Sequence, residues 1–157
     1  MMAITKEFSW SMSHRLEGHK GLCNNVHGHN YKLFITIRRI TGCQVMTGNR
    51  TGNGMVCDFH NLKDIVNEVI IAPLDHCFAY NRKDKDSVLI ATYLIDKINQ
   101  KVKTFDFRLT AENMVEWIVE MLNKYFEEQQ MNLYCVNGTL YETETSSATY
   151  SCESDDE

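Results

Sequence analysis

The chain has 157 residues, 43% hydrophobic and 24% charged, with a formal net charge of −5. That balance fits one ordinary globular domain with a real core, and the mild acidity without a basic cluster speaks against a nucleic-acid surface. The six cysteines (23, 43, 57, 77, 135 and 152) form no Cys-x-x-Cys pair, no apolar run reaches the roughly 18 residues of a membrane span, and the opening Met-Met-Ala-Ile-Thr-Lys-Glu is no targeting sequence. The expectation is a soluble cytoplasmic protein without disulfides or membrane contact.

Residues 4–15 alternate: Phe8, Trp10, Met12 and His14 share one parity, with Lys6, Ser9, Ser11 and Ser13 as the polar complement. Such alternation predicts a strand with one buried face. The stretch Cys23-Asn24-Asn25-Val26-His27-Gly28-His29-Asn30-Tyr31 opens a second, over 27–40. There His27 and His29 project to the side of Tyr31, Leu33, Ile35 and Ile37. Two antiparallel strands joined by a modest loop bring His14 beside that pair. Three histidines suit a catalytic zinc site, because the fourth tetrahedral position stays open to water or substrate. Periodicity alone equally admits ordinary half-buried histidines.

Thr41 to Gly54 is glycine-rich and lacks Gly-Lys-Ser/Thr, so it reads as a loop and not as a phosphate cradle. Met55-Val56-Cys57 predicts a short strand and Asp58 an N-cap. Phe59, Leu62, Ile65, Val66 and Val69 place a helix over 59–71, ended by Pro73. The charged run 81–86 reads as solvated surface. Val88, Ala91, Leu94, Ile95, Ile98 and Val102 predict another helix. Thr110 opens a third, whose Met114, Trp117, Ile118, Met121, Leu122 and Tyr125 read as core. Residues 132–145 return to strand, with Tyr134, Val136, Leu140 and Glu142 on one parity, and 148–151 add a last one. A single domain is expected over residues 1–150, followed by an acidic, disordered tail over 151–157.

Three further groups could carry chemistry. Cys23 lies in a polar turn where a neighbouring cation would favour the thiolate. Asp75-His76 pairs a carboxylate with an imidazole whose tautomer it could fix, a weak signal for two adjacent residues. Glu142 ends a mostly apolar face, and a ligand offering two adjacent N–H groups would satisfy it. His19 and His60 read as surface residues.

Taken together these residues resemble the 6-pyruvoyltetrahydropterin synthase / 6-carboxytetrahydropterin synthase (QueD-type) family. The resemblance is carried by Phe8 to Leu16 ending in His-Arg-Leu, Cys23-x3-His27-Gly28-His29-Asn30-Tyr31, Gly54-Met55-Val56-x-Asp58-Phe59, Leu74-Asp75-His76, Thr110-Ala111-Glu112-Asn113 and Tyr141-Glu142-Thr143. These motifs fall in order over about residues 5 to 150. The resemblance implies the α+β tunnelling fold: an antiparallel four-stranded sheet with two main helices on one face. It also implies a homo-oligomer, a hexamer with active sites between subunits. By the same resemblance His14, His27 and His29 hold zinc, Cys23 is the general base, Asp75 and His76 are its relay partners, and Glu142 anchors a pterin. The implied substrate is 7,8-dihydroneopterin triphosphate. The three residues between Cys23 and His27 resemble the 6-carboxy branch, which releases acetaldehyde and triphosphate and feeds queuosine synthesis. The alternatives are the 6-pyruvoyl branch of tetrahydrobiopterin synthesis and a non-catalytic protein that keeps the fold. Two departures stand out: the segment from about 82 to 108 is longer than in compact bacterial members, and Leu109 replaces a proline ahead of Thr110.

Overall fold

A computed structural model of the chain describes residues 2–41, 44–45 and 54–152. Its centre is the pairing of β1 (Ala3–His14) with β2 (His27–Thr41), antiparallel from Ala3 opposite Arg38 to His14 opposite His27. The alternation read from the sequence is the cause. Phe8, Trp10, Met12 and His14 are buried, as are Tyr31, Leu33, Ile35 and Ile37 across from them. β6 (Leu133–Thr143) adds antiparallel to β2, and β7 (Ser146–Ser151) to β6, so the four expected antiparallel strands are present.

Beyond β1 the sheet continues with two short strands absent from the sequence reading, β4 (Phe78–Asn81) and β5 (Val102–Phe105), both parallel to their neighbours. The order is β5-β4-β1-β2-β6-β7, with β3 (Gln44–Val45) on the far end of β2. Four-residue strands leave too little sequence for alternation to register, and Val102 had been assigned to a helix. That helix, α3, spans Lys85–Ile98 and stops where Asn99 turns left-handed at φ 53. The rest of the expected glycine-rich loop, at 42–43 and 46–53, lies outside the described residues, as does 153–157 of the expected tail.

Asp58 caps α1 (Phe59–Val66), accepting from the His60 N–H at 2.7 Å. The helical course then widens into a π segment, Asn67–Ile71, and closes with a last turn, α2 (Ala72–Leu74). Pro73 therefore does not end it. Asp75 N still donates to Ile71 O at 2.8 Å. The wide turn keeps Ile70 and Leu74 buried with Leu62 and Val66. α4 (Ala111–Glu128), capped by Thr110, lays Met114, Val115, Ile118, Val119, Leu122 and Phe126 on the sheet. Met55-Val56-Cys57 is not a strand. It has no ladder partner among the described residues, and only Val56 of the three is buried.

The parity expected in β6 is also corrected. Thr36 pairs with Asn137, but Ile37 pairs with Cys135, so Val136 is an extra residue that switches the faces. Leu133 and Cys135 are buried before the bulge, Gly138 and Leu140 after it, while Tyr134 and Val136 are only half-buried. The switch keeps Glu142 on the side of Leu140. The five described cysteines (Cys23, Cys57, Cys77, Cys135 and Cys152) are all free. No helix among the described residues is long and apolar enough to cross a membrane.

α4 packs tightly against the sheet at Gly138. A Cβ added there would stand 2.7 Å from Val119 Cγ2 and 3.1 Å from Val115 Cγ2. Both are stiff, β-branched side chains. Gly138→Ala is expected to destabilise the fold by about 1–3 kcal/mol, read as a lower urea midpoint at unchanged m-value.

Candidate metal centre

The end of the β1–β2 ladder builds the site. His14 and His27 face each other in register, and His29 follows two residues along on the same face. The ring centroids lie 4.7 Å (His14–His27), 5.3 Å (His14–His29) and 4.9 Å (His27–His29) apart. One donor atom from each falls within 4.8 Å of the other two.

Backbone carbonyls fix which nitrogens face inward. His14 Nδ1 lies 3.1 Å from Leu109 O, and His27 Nδ1 lies 2.8 Å from Asn25 O. A carbonyl can only accept, so each Nδ1 carries the proton and each Nε2 offers a lone pair. His27 Nε2 and His29 Nε2 are buried without a hydrogen-bond partner. Burial, reinforced by His27 and His29, pushes His14 down to about 4 from 6.5, so it is neutral at physiological pH. Burial and His27 lower His29 too, with Glu142 opposing. Three imidazoles with donor atoms this close together suit a borderline divalent ion such as zinc.

Glu142 arrives from β6 with Oε1 3.5 Å from both His14 Nε2 and His29 Nε2. The Tyr31 hydroxyl lies 3.4 Å from His14 Nε2, and its pKa is raised, first by burial and then by the Glu142 carboxylate. Tyr31 thus stays a neutral phenol in the pocket wall. The sequence reading had counted it only as core. Its position two residues after His29 on the same face was the available signal.

Cys23 sits half-buried in a single 3₁₀ turn, Leu22–Asn24, and its carbonyl accepts from Leu16 N at 2.8 Å. Asp75 and His76, although adjacent, do pair, with Oδ1 2.8 Å from Nδ1. Asp75 Oδ1 also accepts from Ser11 N at 3.1 Å, and that N–H, with His76 and Lys101, holds the carboxyl below its usual range. His76 has a left-handed backbone, φ 59, pinned by its own N–H to Ser11 O (2.7 Å) and by Gln100 on its carbonyl (3.2 Å). Its side chain is 80% exposed. It lines a depression of about 390 Å³ with Ser11, Met12, Ser13, Gly28, His29 and Asn30. His19 and His60 are exposed, as expected.

Residues 3–153 match the model of the family described as 6-pyruvoyl tetrahydropterin synthase. The chain belongs to that family. It is an enzyme of the lyase type such synthases represent. It is 39% identical to the 6-carboxy-5,6,7,8-tetrahydropterin synthase of Haemophilus influenzae over 150 residues, covering 96% of this chain and 99% of that one. With the Rickettsia typhi protein of the same name it shares 32% identity, covering 92% and 96%. The 6-pyruvoyl tetrahydrobiopterin synthase of Poecilia reticulata is 34% identical over 116 residues, 66% of this chain and 70% of its own. The fold resembles the solved 6-pyruvoyl tetrahydropterin synthase of Caenorhabditis elegans (TM-score 0.63, 24% identity, covering 97% and 96%). It also resembles an uncharacterized Wolinella succinogenes protein (TM-score 0.71, 20% identity, covering 97% and 98%).

The buried His14 gives a pH dependence for the metal-free protein. Its folded pKa of about 4 lies below the unfolded 6.5, so the unfolded chain binds the extra proton between those values. Stability is full above about pH 6.5 and falls towards pH 4, by roughly 3 kcal/mol. Urea midpoints at pH 7 and pH 4.5 test this: the drop is expected to shrink in His14→Gln, and an equal drop would contradict the assignment.

Proposed function

We propose that the protein is a zinc-dependent 6-carboxy-5,6,7,8-tetrahydropterin synthase acting on 7,8-dihydroneopterin triphosphate. The observation that carries this reading is the full-length match at 39% identity to a protein of that name. The Cys23-x3-His27 spacing favours the same branch over the 6-pyruvoyl one.

His14, His27 and His29 would hold the ion, and a bound divalent cation would supply Lewis-acid activation of the substrate side-chain hydroxyls. Cys23 as thiolate removes the carbon-bound proton beside the pterin ring. His76, oriented by Asp75, returns a proton. The His76 side chain is 80% exposed within one chain, and we assign it to the site of a neighbouring copy in a homohexamer. Glu142, whose Oε1 lies 3.5 Å from His14 Nε2 and His29 Nε2, grips the paired N–H edge of the pterin. Triphosphate leaves by elimination, water adds to the side-chain carbonyl next to the ring, and breaking the adjacent carbon–carbon bond releases acetaldehyde and leaves a carboxylate on the ring, a product for cytoplasmic queuosine synthesis.

Incubating zinc-loaded protein with the substrate and identifying products by mass spectrometry is expected to give 6-carboxytetrahydropterin and acetaldehyde in equal amounts. A 6-pyruvoyl product alone would move the protein to the other branch. Cys23→Ala is expected to lose about 10²–10⁴-fold in turnover while keeping its metal; unchanged turnover would remove the thiol from the reaction.

A further inference from the structure

The turn that carries Cys23 has no grip on the hydrophobic core. None of Leu22–Asn24 is buried, and Leu22 is 86% exposed. What holds the turn is polar, and much of it comes from one side chain. Arg15, the residue after His14, donates from Nε to Asn24 O at 3.0 Å and from Nη2 to Asn24 Oδ1 at 2.9 Å. Its remaining nitrogen, Nη1, lies 3.2 Å from Asp84 Oδ2. All three guanidinium nitrogens are thus engaged, with the Arg15 and Asp84 side chains only 11% and 10% exposed. Asp86 also lies 3.7 Å from Nη1, but at 79% exposure it adds little.

Asp84 is itself fixed. It is the N-cap of α3, accepting from Ser87 N at 3.2 Å and from the Ser87 hydroxyl. A second tie runs alongside: Asn81 Nδ2 donates to Glu17 Oε1 at 2.8 Å, while Asn81 Oδ1 accepts from Lys83 N at 3.0 Å. The start of the long 82–108 segment is therefore joined to the 15–25 loop through partly buried polar contacts. A planar fork that grips one residue from two directions fixes orientation in a way a point charge cannot.

We propose that Arg15 is a positioning residue for Cys23, and that the 82–108 segment acts on the site through Asp84, which holds the guanidinium against Asn24. This rests on the reading of Cys23 as the base. It gives the extra helix a function: α3 presents Asp84.

The test uses zinc-loaded full-length Arg15→Lys and Asp84→Asn, with Cys23→Ala as the control. Turnover is measured with metal content, and iodoacetamide alkylation of Cys23 is followed against pH by peptide mass spectrometry. Arg15→Lys is expected to lower kcat by about ten- to a hundredfold, with KM and bound metal unchanged and the Cys23 alkylation profile displaced. Asp84→Asn, which keeps the cap acceptor, is expected to move both readouts the same way by a smaller factor. A rise in KM at constant kcat would make Arg15 a substrate contact and overturn the proposal. An alkylation profile like that of the parent in both variants would overturn it as well. If Cys23→Ala keeps full turnover, the base reading fails instead, while the alkylation profiles still decide whether Arg15 positions the thiol.

Discussion

The antiparallel register of the first two strands sets His14 directly across from His27, and the chemistry of the chain depends on that pairing. A slip of one residue would turn a whole apolar face outward and carry the imidazoles with it. The register is held by the burial it produces: Trp10 stacks on Tyr31 at 5.3 Å between ring centroids, and Leu33, Ile35 and Ile37 are fully enclosed. The hydrophobic core and the candidate metal centre are thus two ends of one ladder, and the packing that holds the strands together also desolvates His14 and His29.

Backbone carbonyls orient two of the histidines, and the Glu142 carboxylate lies beside His14 and His29. Leu109 O and Asn25 O each take an Nδ1 proton. The first carbonyl lies just ahead of α4, and the second lies in the Cys23 turn, so helix, turn and strands meet at the rings. Leu109 stands where the family resemblance led to a proline. The acceptor is its main-chain oxygen, which either residue would supply, and its buried side chain adds packing. The Asp75–His76 pair is held differently. His76 is fastened by Ser11, Gln100 and the Asp75 carboxylate into a left-handed backbone with its ring in solvent, a costly arrangement for an isolated surface residue.

Much of this was legible in the sequence because alternation carries two kinds of information at once. In Phe8 to His14 and His27 to Ile37 the period that predicts a strand also predicts which way the histidines point. The helix opened by Thr110 and the cap at Asp58 were equally plain, since capping chemistry is local. Three features were not legible. The bulge at Val136 changes the parity of β6 without altering composition, because it depends on the partner strand. The parallel strands Phe78–Asn81 and Val102–Phe105 are each stabilised by a neighbour far along the chain. The run 81–86 reads as solvated surface, yet it contains Asp84, half-buried against Arg15, since a charge run does not reveal which carboxylate meets a partner. Glu142 shows a related limit: its parity said that it points inward, but not that it ends beside two imidazoles.

The central claim is that His14, His27 and His29 form one metal centre built by the strand register. Titrating metal-stripped protein with cobalt(II), and following visible absorption with circular dichroism as the folding control, tests it most directly. The account predicts one tight site with the intense bands of low coordination number, lost in His27→Ala and His29→Ala while the dichroism is unchanged. Cobalt bound with the same affinity and spectrum in both variants would place the metal elsewhere and contradict it.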